Sequence, residues 1–251
     1  MIRALAIIVP ARNESALIGR CLSALHAAKE RAIAQTAVRI EIIVVADACT
    51  DETADIARSV EGVKVIEIDA GAVGSARATG ALVALDELCP ADAPSGGLLA
   101  DEVWLANTDA DSVVPPNWMI EQLALADRGV DLMLGTVTPD LRDLTPDHAR
   151  AWHETRHHTP ARGHIYGANL GIRASHYLRA GGFAPLAEHE DVDLVARARA
   201  AGSDTFATDA CEVMTSGRHH GRTPGGFARY LRVDLLARAV AVSPAAGTAT
   251  P

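Results

Sequence analysis

Three β-rich apolar runs, each followed by residues with helical spacing, and a fourth run that stops at two aspartates constrain this fold more than any other feature. Residues 5–9 form the first run, and "ESALIGRCLSAL" (14–25), after Pro10, sets Leu17, Cys21 and Leu25 on one helical face. "RIEIIVVA" (39–46) is the second run, followed by "TDETADIARSV" (50–60) with Thr50 or Asp51 at its start. "VKVIEI" (63–68) and "GSARATGALVALDEL" (74–88) repeat the pair, and "EVWLAN" (102–107) delivers Asp109 and Asp111. Such alternation builds a mostly parallel α/β sheet with helices on both faces. Ligands bind such sheets beyond the carboxyl ends of the strands. "PARNE", "ADACTDE" and the two aspartates all fall there.

Two like charges separated by one alanine need a reason. Asp favours turns for its own hydrogen bonds, so a lone D-x-D also reads as a solvated turn. In extended backbone, residues i and i+2 point the same way, which lets Asp109 and Asp111 face one cation. Mg²⁺ or Mn²⁺ suits such a pair, because hard ions take oxygen ligands and share their shell with substrate phosphates.

A net charge of -9 argues against a nucleic-acid binder, which needs a basic surface. The hydrophobic fraction of 49% supplies a sizeable core, made mostly of Ala, Val, Leu and Ile because aromatics are only 4%. Cys21, Cys49, Cys89 and Cys211 have no metal-ligand spacing and read as reduced thiols. "MIRALAIIVP" is too short for a signal peptide, and no run matches a membrane span. The expected location is cytoplasmic, with peripheral contact at the inner membrane face left open.

Four segments occur in order at successive strand ends: "IIVPARNE", "IIVVADACTDET", "GAVGSARATGA" and "NTDADS". They resemble the nucleotide-sugar half of a GT-A fold glycosyltransferase, most similar to family 2. Farther on, "YGANLGIRASHYLRAGGF" resembles the family's Gly-x-Asn segment, and "EHEDVDLVARARAAG" its acidic helix start. The resemblance runs from about residue 7 to about residue 230. It implies a Rossmann-like GT-A sheet, a UDP- or GDP-linked sugar donor, an acceptor hydroxyl and Mg²⁺ or Mn²⁺.

Carried over, Pro10, Arg12 and Glu14 line the nucleoside pocket, with Glu14 near the ribose, and Asp47 accepts from the base. Ala46 and Ala48-Cys49 stand where the family has Asp and Gly-Ser, which leaves uridine versus guanosine open. Arg77 lies near the nucleotide, its bland alternative being a solvated helical arginine. Asn169 joins the donor-binding set, and Asp109 and Asp111 hold the metal.

Asp191 matches the catalytic aspartate, with Glu190 beside it; an inverting transfer needs one carboxylate to take the acceptor proton. A plain acidic helix start is the alternative. In "TSGRHHGRTPGGFARYL", His220 is the first choice of third metal ligand and His219 the second. Arg218 and Arg222 would hold the diphosphate, since arginine matches phosphate oxygens bidentately. A flexible basic loop is the alternative.

"HETRH" (153–157) fits the zincin pattern, but Pro160 and Gly163 stand where a metzincin needs Gly and His. A zinc hydrolase is therefore a minor rival, beside a non-catalytic nucleotide-sugar-binding protein. The organisation expected is one GT-A domain over 1–240, with a nucleotide-binding half at 1–112 and an acceptor half with C-terminal lid and helix at 113–240. Residues 241–251 read as a disordered tail. A homodimer is left open.

Overall fold

The computed structural model describes residues 1–90, 97–156, 164–221 and 225–237. Seven strands run in the order β3-β2-β1-β4-β6-β5-β7. They are β1 (Ala4–Ala11), β2 (Arg39–Asp47), β3 (Val63–Ile68), β4 (Val103–Asn107), β5 (Leu132–Pro139), β6 (Leu170–Arg173) and β7 (Thr205–Thr215). The first four pair in parallel, as the alternation predicts. β6 enters antiparallel between β4 and β5, and β5 pairs in parallel with β7.

Every residue of β1 is buried, which suits a central strand covered on both faces. Its side chains alternate: Leu5, Ile7 and Val9 enter one core, and Ala4, Ala6 and Ile8 the other. The first core is closed by α1 (Ile18–Ile33), α2 (Thr53–Arg58) and α4 (Trp118–Asp127). α3 (Val73–Leu88), α6 (Ala174–Arg179) and α7 (Glu190–Ala200) close the second. α5 (Pro146–Arg156) packs Trp152 against Leu231 and Leu235 in a third, small cluster.

β1 has β2 on one side and β4 on the other, so successive crossovers leave it in opposite directions. That reversal opens a crevice at the carboxyl ends of β1 and β4. Among the described residues, no helix is long and apolar enough to cross a membrane. The 241–251 tail, Arg222 and the whole 157–163 stretch after "HETR" lie outside the described residues.

Candidate active site

The loops that leave β1 and β2 are laced together at the crevice. Asn13 and Ala48 both adopt left-handed backbone, with φ of 53° and 50°. Asn tolerates this conformation, whereas Ala48 carries the strain at the position where the family pattern has Gly. The Asn13 amide oxygen accepts from Thr50 N at 2.7 Å, and Glu14 N donates to Thr53 Oγ1 at 2.7 Å. Glu14 is thereby fixed at the rim. Asp47, the last residue of β2, accepts from three backbone N–H groups, those of Ala70, Gly71 and Ala72, at 2.8–2.9 Å. It clamps the β3–α3 loop and still borders the cavity.

The cavity is about 250 Å³. Pro10, Arg12, Glu14, Asp47, Asp109, Asp111 and Arg218 are on its wall. Asp111 is partly buried and engaged at both oxygens. Its Oδ2 is 2.9 Å from Arg218 Nη2, and its Oδ1 accepts from the hydroxyls of Thr215 at 3.2 Å and Ser112 at 3.3 Å. Burial pushes the Asp111 carboxyl up to about 6, Asp109 and Glu14 push the same way, and Arg218 opposes them. Beneath the pair, the buried Cys21 thiol is also pushed up, by burial first and then by both aspartates. These shifts share one main cause, burial, and the neighbouring carboxylates add to it.

Arg218 forks onto Glu14, with Nη1 to Oε2 at 2.8 Å and Nη2 to Oε1 at 2.5 Å. Neither Thr215 nor Ser112 was singled out from the sequence. Thr215 ends β7, a strand the apolar periodicity does not announce because β7 is an edge strand with a mixed burial pattern. The order of segments along the chain gives no sign that this strand end meets the D-x-D.

Arg77 requires a correction. It is 2% exposed and does not border the cavity, so it is not a solvated arginine, and its partners are the protein's own carboxylates rather than the cavity. Its Nη2 donates to Asp109 Oδ1 at 2.6 Å, its Nε to Glu190 Oε1 at 2.9 Å, and Phe183 lies under the guanidinium at 5.9 Å. It is a buried tie between β4 and α7. Glu190 is corrected with it: at 5% exposed and bound to Arg77, it sits behind the crevice rather than in it. Burial pushes the Glu190 carboxyl up, against the pull of Arg77.

Asn169 is a second correction, because it belongs to the core. Fully buried, it accepts from Trp118 Nε1 at 2.9 Å and donates to the carbonyls of Thr136 and Cys211, both at 2.9 Å. A Cβ on Gly135 would stand 2.2 Å from its amide, so glycine there makes the space that Asn169 fills. Both amide hydrogens are used by the protein, and the side chain is 0% exposed. Gly167 of the same segment packs on Arg77 and donates its N–H to Asp191 Oδ2 at 2.7 Å. Asp191, at the start of α7, is half-buried, does not line the cavity wall, and its Oδ1 accepts from Val192 N at 2.8 Å.

His220 is exposed and absent from the cavity wall, which corrects its place as third ligand. His219 turns its ring onto His148, with centroids 4.5 Å apart, and burial lowers its pKa. Among the described residues, no three His, Cys, Asp or Glu side chains group to hold a metal. His153 of "HETRH" is exposed on α5. Two acids remain as oxygen donors. That suffices for a hard ion whose remaining ligands are phosphate oxygens and water.

Several solved structures share this fold. S. aureus TarS 1-349 in complex with UDP-GlcNAc is 14% identical, with a TM-score of 0.63, over 95% of this chain and 66% of that one. A mannosyltransferase from Pyrobaculum calidifontis, solved with GDP-Man and Mn²⁺, is 19% identical with a TM-score of 0.57, over 98% and 76%. M. tuberculosis glucosyl-3-phosphoglycerate synthase is 15% identical with a TM-score of 0.54, over 97% and 82%. The chain spans 36% of the longer TarS structure and just under two thirds of TarS 1-349. None of the curated proteins matches it in sequence. The architecture is that of the GT-A glycosyltransferases. Since glycosyl transferase family 2 matches residues 6–178, more than half of the sequence and every strand that frames the crevice on the β1–β4 side, this chain belongs to that family.

Proposed function

We propose that the protein transfers a sugar from a nucleoside diphosphate sugar to an acceptor hydroxyl, with inversion at the anomeric carbon. One observation carries the reading. Residues from four separate chain segments, Pro10 to Glu14, Asp47, Asp109 with Asp111, and Arg218, converge on one cavity at the topological switch point. The solved mannosyltransferase with GDP-Man and Mn²⁺ and TarS with UDP-GlcNAc support a nucleotide-sugar donor for this fold.

In this reading Pro10, Arg12 and Asp47 receive the nucleoside, and Glu14 lies at the ribose. Asp111 and Asp109 would hold Mg²⁺ or Mn²⁺ on the diphosphate. That ion, when bound, supplies charge stabilisation for the leaving group. Arg218 contributes a positive charge on the same side. Asp191 takes the proton of the acceptor hydroxyl as its oxygen bonds to the anomeric carbon and the bond to the diphosphate breaks. Glu190 and Arg77 position rather than react.

Calorimetric titration with a panel of UDP- and GDP-sugars plus Mn²⁺ tests donor binding, and release of nucleoside diphosphate tests turnover. Asp191→Asn should bind donor normally and lose turnover by about 10²–10⁴-fold, the usual worth of a positioned base. Full turnover in that variant would remove the base assignment. Failure of the whole panel to bind would remove the donor reading.

A further inference from the structure

We propose that Arg218 is a resident cation of the crevice, holding the oxygens that a divalent ion needs and surrendering them only when a diphosphate takes the guanidinium. The inference rests on the donor reading above and adds an order of events to it. Arg218 Nη2 stands 2.9 Å from Asp111 Oδ2 while the same fork binds both oxygens of Glu14. The other Asp111 oxygen is already engaged by Thr215 and Ser112. The neighbouring Asp109 Oδ1 is taken by Arg77, which is enclosed on all sides and has no room to leave. Any ion reaching Asp111 Oδ2 at metal–oxygen distance, about 2.1 Å, would stand against the guanidinium, charge facing like charge.

Arg218 is built to swap partners. The backbone beside it is anchored, because Gly217 N and Ser216 Oγ both donate to Asp143 Oδ2, at 2.9 and 3.3 Å. Only the side chain has to rotate, and 27% of it is open to solvent. The guanidinium fork matches phosphate oxygens as well as it matches a carboxylate. Its departure also enlarges a cavity that, at about 250 Å³, is below the roughly 300–1,000 Å³ of most ligand sites. Two consequences follow. A cation alone binds poorly, and cation and nucleoside diphosphate each tighten the other, since coupling is reciprocal.

The test is Mn²⁺ binding read by electron paramagnetic resonance, without nucleotide and then with UDP or GDP. Arg218→Gln and Arg218→Met, the second covering a failure of the first to fold, should bind Mn²⁺ alone at least about tenfold tighter than wild type, within the usual range of coupling between sites. Arg218→Lys, which keeps the charge, should gain little. Adding Asp111→Asn to Arg218→Gln should abolish the gain, and nucleotide should raise Mn²⁺ affinity less in Arg218→Gln than in wild type. If Arg218→Gln and Arg218→Met bind Mn²⁺ no tighter while nucleotide raises Mn²⁺ affinity in all, the resident-cation idea is wrong and the donor reading stands. If Mn²⁺ binds no form, with or without UDP or GDP, both fall together.

Discussion

Arg77 and Arg218 each meet one aspartate of the D-x-D, yet Arg77 is 2% exposed within α3 and Arg218 is 27% exposed on the chain that follows β7. Arg77 joins two structural elements, has an aromatic ring beneath it and Gly167 pressed against it, and binds Glu190 in the interior. Arg218 faces a cavity and forks onto the rim residue Glu14. Similar ion pairs therefore do different work. A fully enclosed pair is part of the fold, because a lone buried charge left behind is expensive. The Arg218 fork is exchangeable, because it faces a cavity where water and ligand oxygens can compete for it.

The widest separation between the two should appear in stability. Arg77→Met strands Glu190 and part of Asp109 in the interior and should cost about 3–5 kcal/mol in denaturant unfolding. Arg218→Met should cost less, because the carboxylates it leaves, Glu14 and Asp111, border a cavity that water can enter. Equal losses would erase the distinction.

A smaller effect concerns pH. The Asp111 carboxyl is raised from 3.8 to about 6 in the folded protein. The unfolded chain releases that proton first, so this group lowers stability as pH rises from 3.8 to about 6. Asp51 and Asp140 shift the opposite way, and their contribution is lost only below the ordinary carboxylate range. Asp111→Asn should flatten the slope in the upper window alone. Mn²⁺ affinity should fall as pH drops through about 6, since proton and cation compete for Asp111. In Arg218→Gln that fall should begin at higher pH, because the removed cation was holding the carboxyl down.

The smallest effect sharpens the Arg218 side. Thr215→Val removes a hydroxyl that donates to Asp111 Oδ1, leaving that of Ser112 in place. A carboxyl-detected NMR titration should show the Asp111 midpoint rising by less than about one pH unit, the scale of a single hydrogen bond. No movement would mean that burial and the neighbouring charges set the Asp111 carboxyl without help from Thr215.

What was legible in the sequence depended on distance along the chain. The four parallel strands, their crossovers and the placement of Glu14, Asp47, Asp109 and Asp111 at strand ends came from periodicity and from motifs a few residues long. Arg77 and Asn169 both belong to short segments of the shared pattern, but their partners lie in the interior. A motif records that a residue type is required, not whether its partner is a ligand or the protein itself.

The amino-acid order by itself settled the sheet's alternating halves, because a buried parallel strand must read as an apolar run and its crossover as a helix. It settled the family through segments that keep their order. Only the folded chain decided which charges face each other: Arg77 with Glu190 across 113 residues, Arg218 with Glu14 across 204. Those pairs are fixed by how β6 inserts and where β7 ends. The physical reason is range: backbone periodicity is local, while the electrostatic balance of a crevice is a sum over every segment that reaches it.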